Sequence, residues 1–201
     1  MLAKICGLAE KNQVKICLEY GASMCGFILF YPKSHRNLSL QKVSELTSIK
    51  NSKSNVAVMV EPSKSDLEKI KDLNFQYYQI YGNQDPDEIN EIKKRNNVKI
   101  IKALTIETGK DVLKYKKYEA VSDIILFDSI GREKSLSFDH SLLKDVPKNV
   151  IKMIAGNIQV QDLEKISKIA DIVDVSSAVE TDKKKDLTKI KEFLLKIKEI
   201  N

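Results

Sequence analysis

The sequence is short of the residues that build metal centres and cross-links. Its 201 residues include two histidines, His35 and His140, and neither has a ligand partner at metal-binding spacing. Both are expected at the surface. The three cysteines, Cys6, Cys17 and Cys25, are odd in number, crowded into the first eighth of the chain and nowhere spaced C-x-x-C. That argues against a disulfide framework and against a zinc site. Cys17 and Cys25 sit among apolar neighbours and are expected in the core. No apolar run approaches the roughly 18 residues of a membrane span. The first residues enter a strand pattern directly, without the basic start, apolar run and small-residue cleavage site of a secretory signal. A cytosolic chain is expected. There is also no linker and no sign of a second domain, so residues 1–201 are read as one domain.

What is present is an ordinary globular balance, with 42% hydrophobic and 31% charged residues. Lys and Arg total 34 against 28 Asp and Glu, a formal charge of +6. The basic residues are mostly Lys and are spread along a chain also rich in Ile and Asn. That is a compositional bias rather than a binding stripe, and no nucleic-acid partner is expected. The run Lys183-Lys184-Lys185 is read as a solvated face.

Short β-branched runs alternate with longer amphipathic ones. The strand-like runs are 3–6, 24–30, 55–60, 77–80, 99–104, 123–127, 151–155 and 173–176. They are nearly continuous in apolar residues, as strands buried on both faces of a parallel sheet are. Helical patterns fall at 11–20, 39–49, 64–73, 86–95, 109–115, 139–144, 160–170 and 186–198, with the fifth and sixth weak. Gly21 suits the end of the first helix, and Ser63 or Ser65 the start of the third. Asp85-Pro86 suits the start of the fourth and Asp186 that of the last. Strict alternation means an α/β fold with a parallel sheet. Periodicity does not choose between a closed barrel and an open doubly wound sheet. A barrel of eight units usually takes about 250 residues, with about 200 as the floor.

In a barrel the chemistry sits at the C-terminal ends of the strands. There the sequence has Cys6-Gly7 after the first strand and Tyr31 to Arg36 after the second. Tyr81-Gly82 follows the fourth strand and Asp128-Ser129 the sixth. Gly156-Asn157 follows the seventh, and Ser176-Ser177-Ala178-Val179-Glu180 the eighth. A thiol, a carboxylate and a guanidinium thus share one face. Two small-residue turns follow the last two strands, where such barrels often bind phosphate.

These strand ends resemble one family. Lys4-Ile5-Cys6-Gly7, Gly26-Phe27 and the Tyr31-Pro32-Lys33-Ser34-x-Arg36 segment are similar to the opening of the phosphoribosylanthranilate isomerases. So, in order, are Gln79-x-x-Gly82, Lys102-Ala103, Phe127-Asp128-Ser129, Phe138-Asp139 and Ala155-Gly156. The last is Asp174-Val175-Ser176-Ser177-x-Val179-Glu180, with Lys185-Asp186 behind it. The likeness runs from Lys4 to Phe193. It implies a small (β/α)₈ barrel that catalyses the third step of tryptophan biosynthesis, with no metal or cofactor and a small phosphorylated substrate. A monomer or homodimer is expected. Tyr81 stands where the family has His, His35 where it has Pro, Ala178 where it has Gly, and Asn157 replaces the second glycine of a Gly-Gly pair. The loop 130–135 replaces a glycine-rich one.

The resemblance assigns Cys6 as general base and Asp128 as general acid for an Amadori rearrangement. It assigns Arg36 to the anthranilate carboxylate, which a guanidinium holds through two parallel hydrogen bonds. Tyr81 joins the substrate pocket. Gly156, Asn157, Ser176, Ser177 and Ala178 offer backbone N–H groups to the phosphate. Ala178 is expected at negative φ, and Asn157 is expected to tolerate left-handed geometry. Two other readings remain: a different phosphosugar isomerase, or a barrel that binds a phosphorylated ligand without turning it over. A metal-dependent epimerase would want His and Asp at several strand ends, and neither histidine lies at one.

Overall fold

The near-continuous apolar runs become strands because each has two faces to bury. In the computed structural model, which describes residues 1–49, 54–129 and 137–201, they are β1 (Leu2–Cys6), β2 (Met24–Ile28), β3 (Asn55–Val60), β4 (Tyr77–Tyr81), β5 (Lys99–Ile106), β6 (Ile124–Ser129), β7 (Lys152–Ile154) and β8 (Ile172–Val175). They pair in parallel in sequence order, and β1 pairs with β8 to close the ring. The closed barrel settles the choice that periodicity left open. Alternate side chains point to opposite faces. Met24, Val56, Val58, Ile101, Leu126, Met153 and Ile172 form one buried cluster, the barrel interior. Ile5, Phe27, Phe127 and Val173 belong to a second, between strands and helices.

The helices are α1 (Lys11–Tyr20), α2 (Leu40–Thr47), α3 (Lys64–Ile70), α4 (Pro86–Asn96), α5 (Gly109–Val112), α6 (Tyr115–Tyr118), α7 (Leu163–Ile166) and α8 (Leu187–Glu199). Local chemistry ends them as expected. Gly21 at φ 91° donates its N–H to Cys17 and Leu18. Ser63 and Asp66 form a reciprocal capping box at α3, and Asp85 caps α4 ahead of Pro86. Asp186 accepts from the N–H groups of Thr188 and Lys189.

The second half of the chain has less helix than its pattern promised. The 109–115 pattern breaks into the single turns α5 and α6. The 139–144 pattern is a 3₁₀ turn, His140–Leu143, and 160–170 is a 3₁₀ turn followed by α7. These segments bury few side chains, only Val112, Tyr115 and Tyr118 across α5 and α6. A short apolar stripe gives a longer helix little to pack against. β2 stops at Ile28 because Phe30 turns to φ 56°. A hairpin unseen in the sequence pattern, β9 (Glu180–Thr181) and β10 (Lys184–Lys185), follows β8 and turns through Asp182 and Lys183 at φ 50° and 60°. Among the described residues no helix is long and apolar enough to cross a membrane, and no group of three or more His, Cys, Asp or Glu could hold a metal ion. The altered loop 130–135 lies outside the described residues.

Candidate active site

The sheet register brings the predicted residues together. Cys6 ends β1, Tyr81 ends β4 and Asp128 stands next to last in β6. With Arg36, Gly156, Asn157, Ser176, Ser177 and Ala178 they line one cavity at the C-terminal mouth of the barrel.

On the β1–β8 side the thiol of Cys6 is buried, and so are charges around it. Two residues earlier on the same strand face, Lys4 is wholly removed from solvent, and its Nζ donates to Asp174 Oδ2 at 2.8 Å. Lys4 and Asp174 are direct register partners. Burial pushes the Cys6 thiol up, Lys4 and Lys185 pull it down, and Asp174 pushes it up again; it ends above the ordinary thiol value. Burial pulls Lys4 down, but Asp174 and Cys6 outweigh it, so this ammonium stays charged. Gly26 faces Cys6 across β1–β2, and a Cβ there would lie 3.1 Å from both Cys6 Sγ and Lys4 Cε.

On the β4–β6 side the side chains bonded to Asp128 among the described residues are neutral, and the charges of Asp174 and Lys4 act on it from across the barrel with opposite signs. The Tyr81 hydroxyl donates to Asp128 Oδ2 at 2.7 Å, and Gln79 Nε2 donates to that hydroxyl at 3.3 Å. Burial pushes the Asp128 carboxyl up, against the pull of the Tyr81 bond, and it reaches about 6. The phenol itself is driven well above its ordinary value by burial and by Asp128. Tyr81 was expected among the substrate contacts; its hydroxyl serves the carboxylate.

Arg36 is brought in by the loop after β2, where Asn37 Oδ1 accepts from the Tyr31 N–H at 2.8 Å. Its side chain crosses Gly7, where a Cβ would come within 2.5 Å of Arg36 Cδ; Gly7 also takes φ 76°. The guanidinium makes a two-pronged contact, Nε to Oε1 and Nη2 to Oε2 of Glu180, each 2.7 Å. Burial pushes Glu180 up, but bonds and charges from Arg36 and Lys185 hold it down at about 2. One face of the fork expected for a substrate carboxylate is therefore occupied by a protein carboxylate.

Lys185 corrects the reading of 183–185 as a solvated face. It is buried, donates to the Ser176 carbonyl at 2.9 Å and hydroxyl at 3.1 Å, and pairs with Glu180. The hairpin folds it inward. His140 also departs from its surface expectation: it is half-buried, edge-on to Phe138 with ring centres 4.8 Å apart. His35 stays a third exposed, 3.7 Å from Glu180. Cys17 and Cys25 are core residues as expected.

At the β7–β8 turns, Gly156 and Asn157 take φ 103° and 48° in succession. Ser177–Val179 is a 3₁₀ turn. Ala178 is not among the residues at positive φ, so its methyl group costs no backbone strain. The Ser176 hydroxyl donates to the Cys6 carbonyl at 3.1 Å, tying the phosphate-side turn to the thiol strand. Lys4, Asp174, Gly26, Glu180 and Lys185 were quoted as family motif without a role. A lysine in an apolar strand, two residues before a candidate base, was the signal for Lys4.

The family model described as N-(5'phosphoribosyl)anthranilate (PRA) isomerase matches residues 3–196. The N-(5'-phosphoribosyl)anthranilate isomerase of Bacillus cereus is 34% identical over 209 residues, covering 98% of each chain. The crystal structure of phosphoribosyl anthranilate isomerase from Thermotoga maritima is similar at a TM-score of 0.89 and 26% identity, over 99% of this chain and 100% of that one. A phosphoribosyl anthranilate isomerase in complex with reduced 1-(o-carboxyphenylamino)-1-deoxyribulose 5-phosphate is similar at 0.86 and 25%, with the same coverage.

Proposed function

The chain belongs to the N-(5'-phosphoribosyl)anthranilate isomerase family, and we propose that it converts N-(5-phosphoribosyl)anthranilate into 1-(2-carboxyphenylamino)-1-deoxyribulose 5-phosphate with Cys6 as base and Asp128 as acid. Asp128 gives its proton to the ribose ring oxygen as the bond from that oxygen to C1 breaks. The anthranilate nitrogen supplies the electron pair and becomes an iminium. The Cys6 thiolate then takes the proton on C2, and the C2–H pair neutralises the iminium as an enolamine. Moving the enol proton to C1 yields the ketone, and transfer of one proton from the Cys6 thiol to the Asp128 carboxylate restores the pair. One acid and one base complete the sequence, so no cofactor is assigned.

The observation that carries this reading is the pairing of two buried, differently supported groups across one cavity, an acid poised near 6 and a thiol beside an ammonium. Arg36 faces the anthranilate carboxylate with the guanidinium edge not turned to Glu180, or by displacing Glu180. Backbone N–H groups of the β7 and β8 turns face the phosphate. The ligand of the similar complex carries, by its name, both a carboxyphenyl group and a phosphate. Freshly formed phosphoribosylanthranilate should lose its anthranilate-type fluorescence when the protein is added. Tight binding of the phosphorylated product without any such loss would instead make this a binding barrel.

A further inference from the structure

Cys6 must carry a negative charge while almost wholly buried at the floor of the cavity. Among the described residues, seven charged or titratable groups surround it. Lys4 comes from β1, Asp174 from β8, Lys185 and Glu180 from the hairpin, Arg36 from the loop after β2, Tyr81 from β4 and Asp128 from β6. Asp174 and Asp128 oppose a thiolate. Lys185 is engaged by Glu180 and Ser176, and Arg36 by Glu180. Lys4 lies on the thiol's own strand face, and its Cε and the sulfur both lie 3.1 Å from the point a Cβ of Gly26 would occupy. No side chain separates them, because the facing residue is Gly26.

We infer that Lys4 is a positioning residue for the Cys6 thiolate, an ammonium anchored by Asp174 beneath the sulfur to hold the charge the base carries. The inference rests on Cys6 being the base. Stability offers a poor alternative reason for this ion pair. It is enclosed beside the apolar barrel interior, where removing two charges from water offsets much of their attraction. Asp174 also spends only Oδ2 on Lys4. Its buried Oδ1 has no partner among the described residues. A pair built only for stability would satisfy both oxygens.

The test reads the thiolate directly and needs no turnover. Cys6 lines the cavity, so iodoacetamide can reach it, and the mass of its peptide separates it from Cys17 and Cys25. The alkylation rate of the folded protein is followed against pH. In Lys4→Met the thiolate should appear at higher pH, slowing alkylation near neutrality by about tenfold or more, as a shift of one pH unit gives. Asp174→Asn should move it the opposite way. The double variant leaves no charge unpaired and serves if Lys4→Met does not fold. It should also alkylate more slowly than the parent, because Lys4 acts on the thiol more strongly than Asp174 does. Opposite movements in the single variants are not what a packing defect gives. Alkylation profiles of Lys4→Met and the double variant that overlay the parent would overturn the inference, even with Cys6→Ser inactive. Failure of the base assignment would show separately, as turnover retained by Cys6→Ser.

Discussion

The two reacting groups are about equally buried, Cys6 at 7% exposure and Asp128 at 8%, yet their surroundings differ. The β1–β8 side places two buried ammoniums, each paired with a carboxylate, around the thiol. The β4–β6 side gives the carboxylate a phenol and, behind it, an amide. Burial alone favours the protonated form of both groups. That suits an acid and defeats a base. Among the described residues, the buried cations are on the side where a negative charge has to form, and the donors bonded around Asp128 are neutral, on the side where a proton has to be kept. One barrel mouth thus separates two functions by the charge of the second layer of side chains rather than by solvent access.

Removing either group should have the largest effect. Cys6→Ser leaves a hydroxyl that ionises far less readily, and Asp128→Asn leaves an amide with no proton to give. Each should lower kcat by about 10²-fold or more, while product binding, measured by calorimetry, survives. Near-normal turnover in Cys6→Ser would make the thiol a packing residue and end the comparison.

Recognition groups outside the comparison should move KM instead. Lysine in place of Arg36 keeps the charge but loses the planar fork and its hold on Glu180. Steady-state kinetics should show KM up by about tenfold, the scale of one charge-assisted hydrogen bond, with a smaller change in kcat. An unchanged KM would place Arg36 outside the anthranilate pocket.

Tyr81→Phe sharpens the neutral side. The phenol donates to the carboxylate and so favours its ionised form. Without it Asp128 should hold its proton to higher pH, and the acid limb of the rate profile should move up from about 6 by about one pH unit. A limb that stays put would mean that burial alone sets the acid.

The smallest effect is expected at Ala178→Gly. Position 178 does not need left-handed geometry, so the glycine adds little, and KM should change by less than about threefold, under about 1 kcal/mol. A tenfold gain in affinity would show that the natural turn is impaired.

The sequence made the strands legible because residues such as those of 55–60 and 99–104 are apolar on both faces. It left barrel closure open because that depends on Leu2–Ile5 meeting Ile172–Val175 at the far end of the chain, which no local period records. Cys6, Arg36 and Asp128 stood out at strand ends or in the loop after one, and the family resemblance supplied their roles. Their supports did not stand out. Lys4 and Asp174 are hidden within strand runs, and a pairing across strands becomes visible only with the register. Lys185 was misread because a run of three lysines is usually solvated, and a tight hairpin through two left-handed residues folds the third one inward. The left-handed turn at Asn157 was legible, since asparagine is among the residues that take it readily.

The most direct test is the pH dependence of kcat/KM in the unmodified protein. The reaction needs Asp128 protonated and Cys6 ionised, which is one shared proton. That form is most populated between the two ionisations, even though most molecules there hold the proton on sulfur. The rate should therefore rise through about pH 6, where Asp128 loses the second proton, and stay level beyond it. It should fall only above the ordinary thiol value of 9.0, because burial holds Cys6 higher despite Lys4. An acid limb in the ordinary carboxylate range near about 4, or a profile with no alkaline limb in the thiol range, would contradict the account.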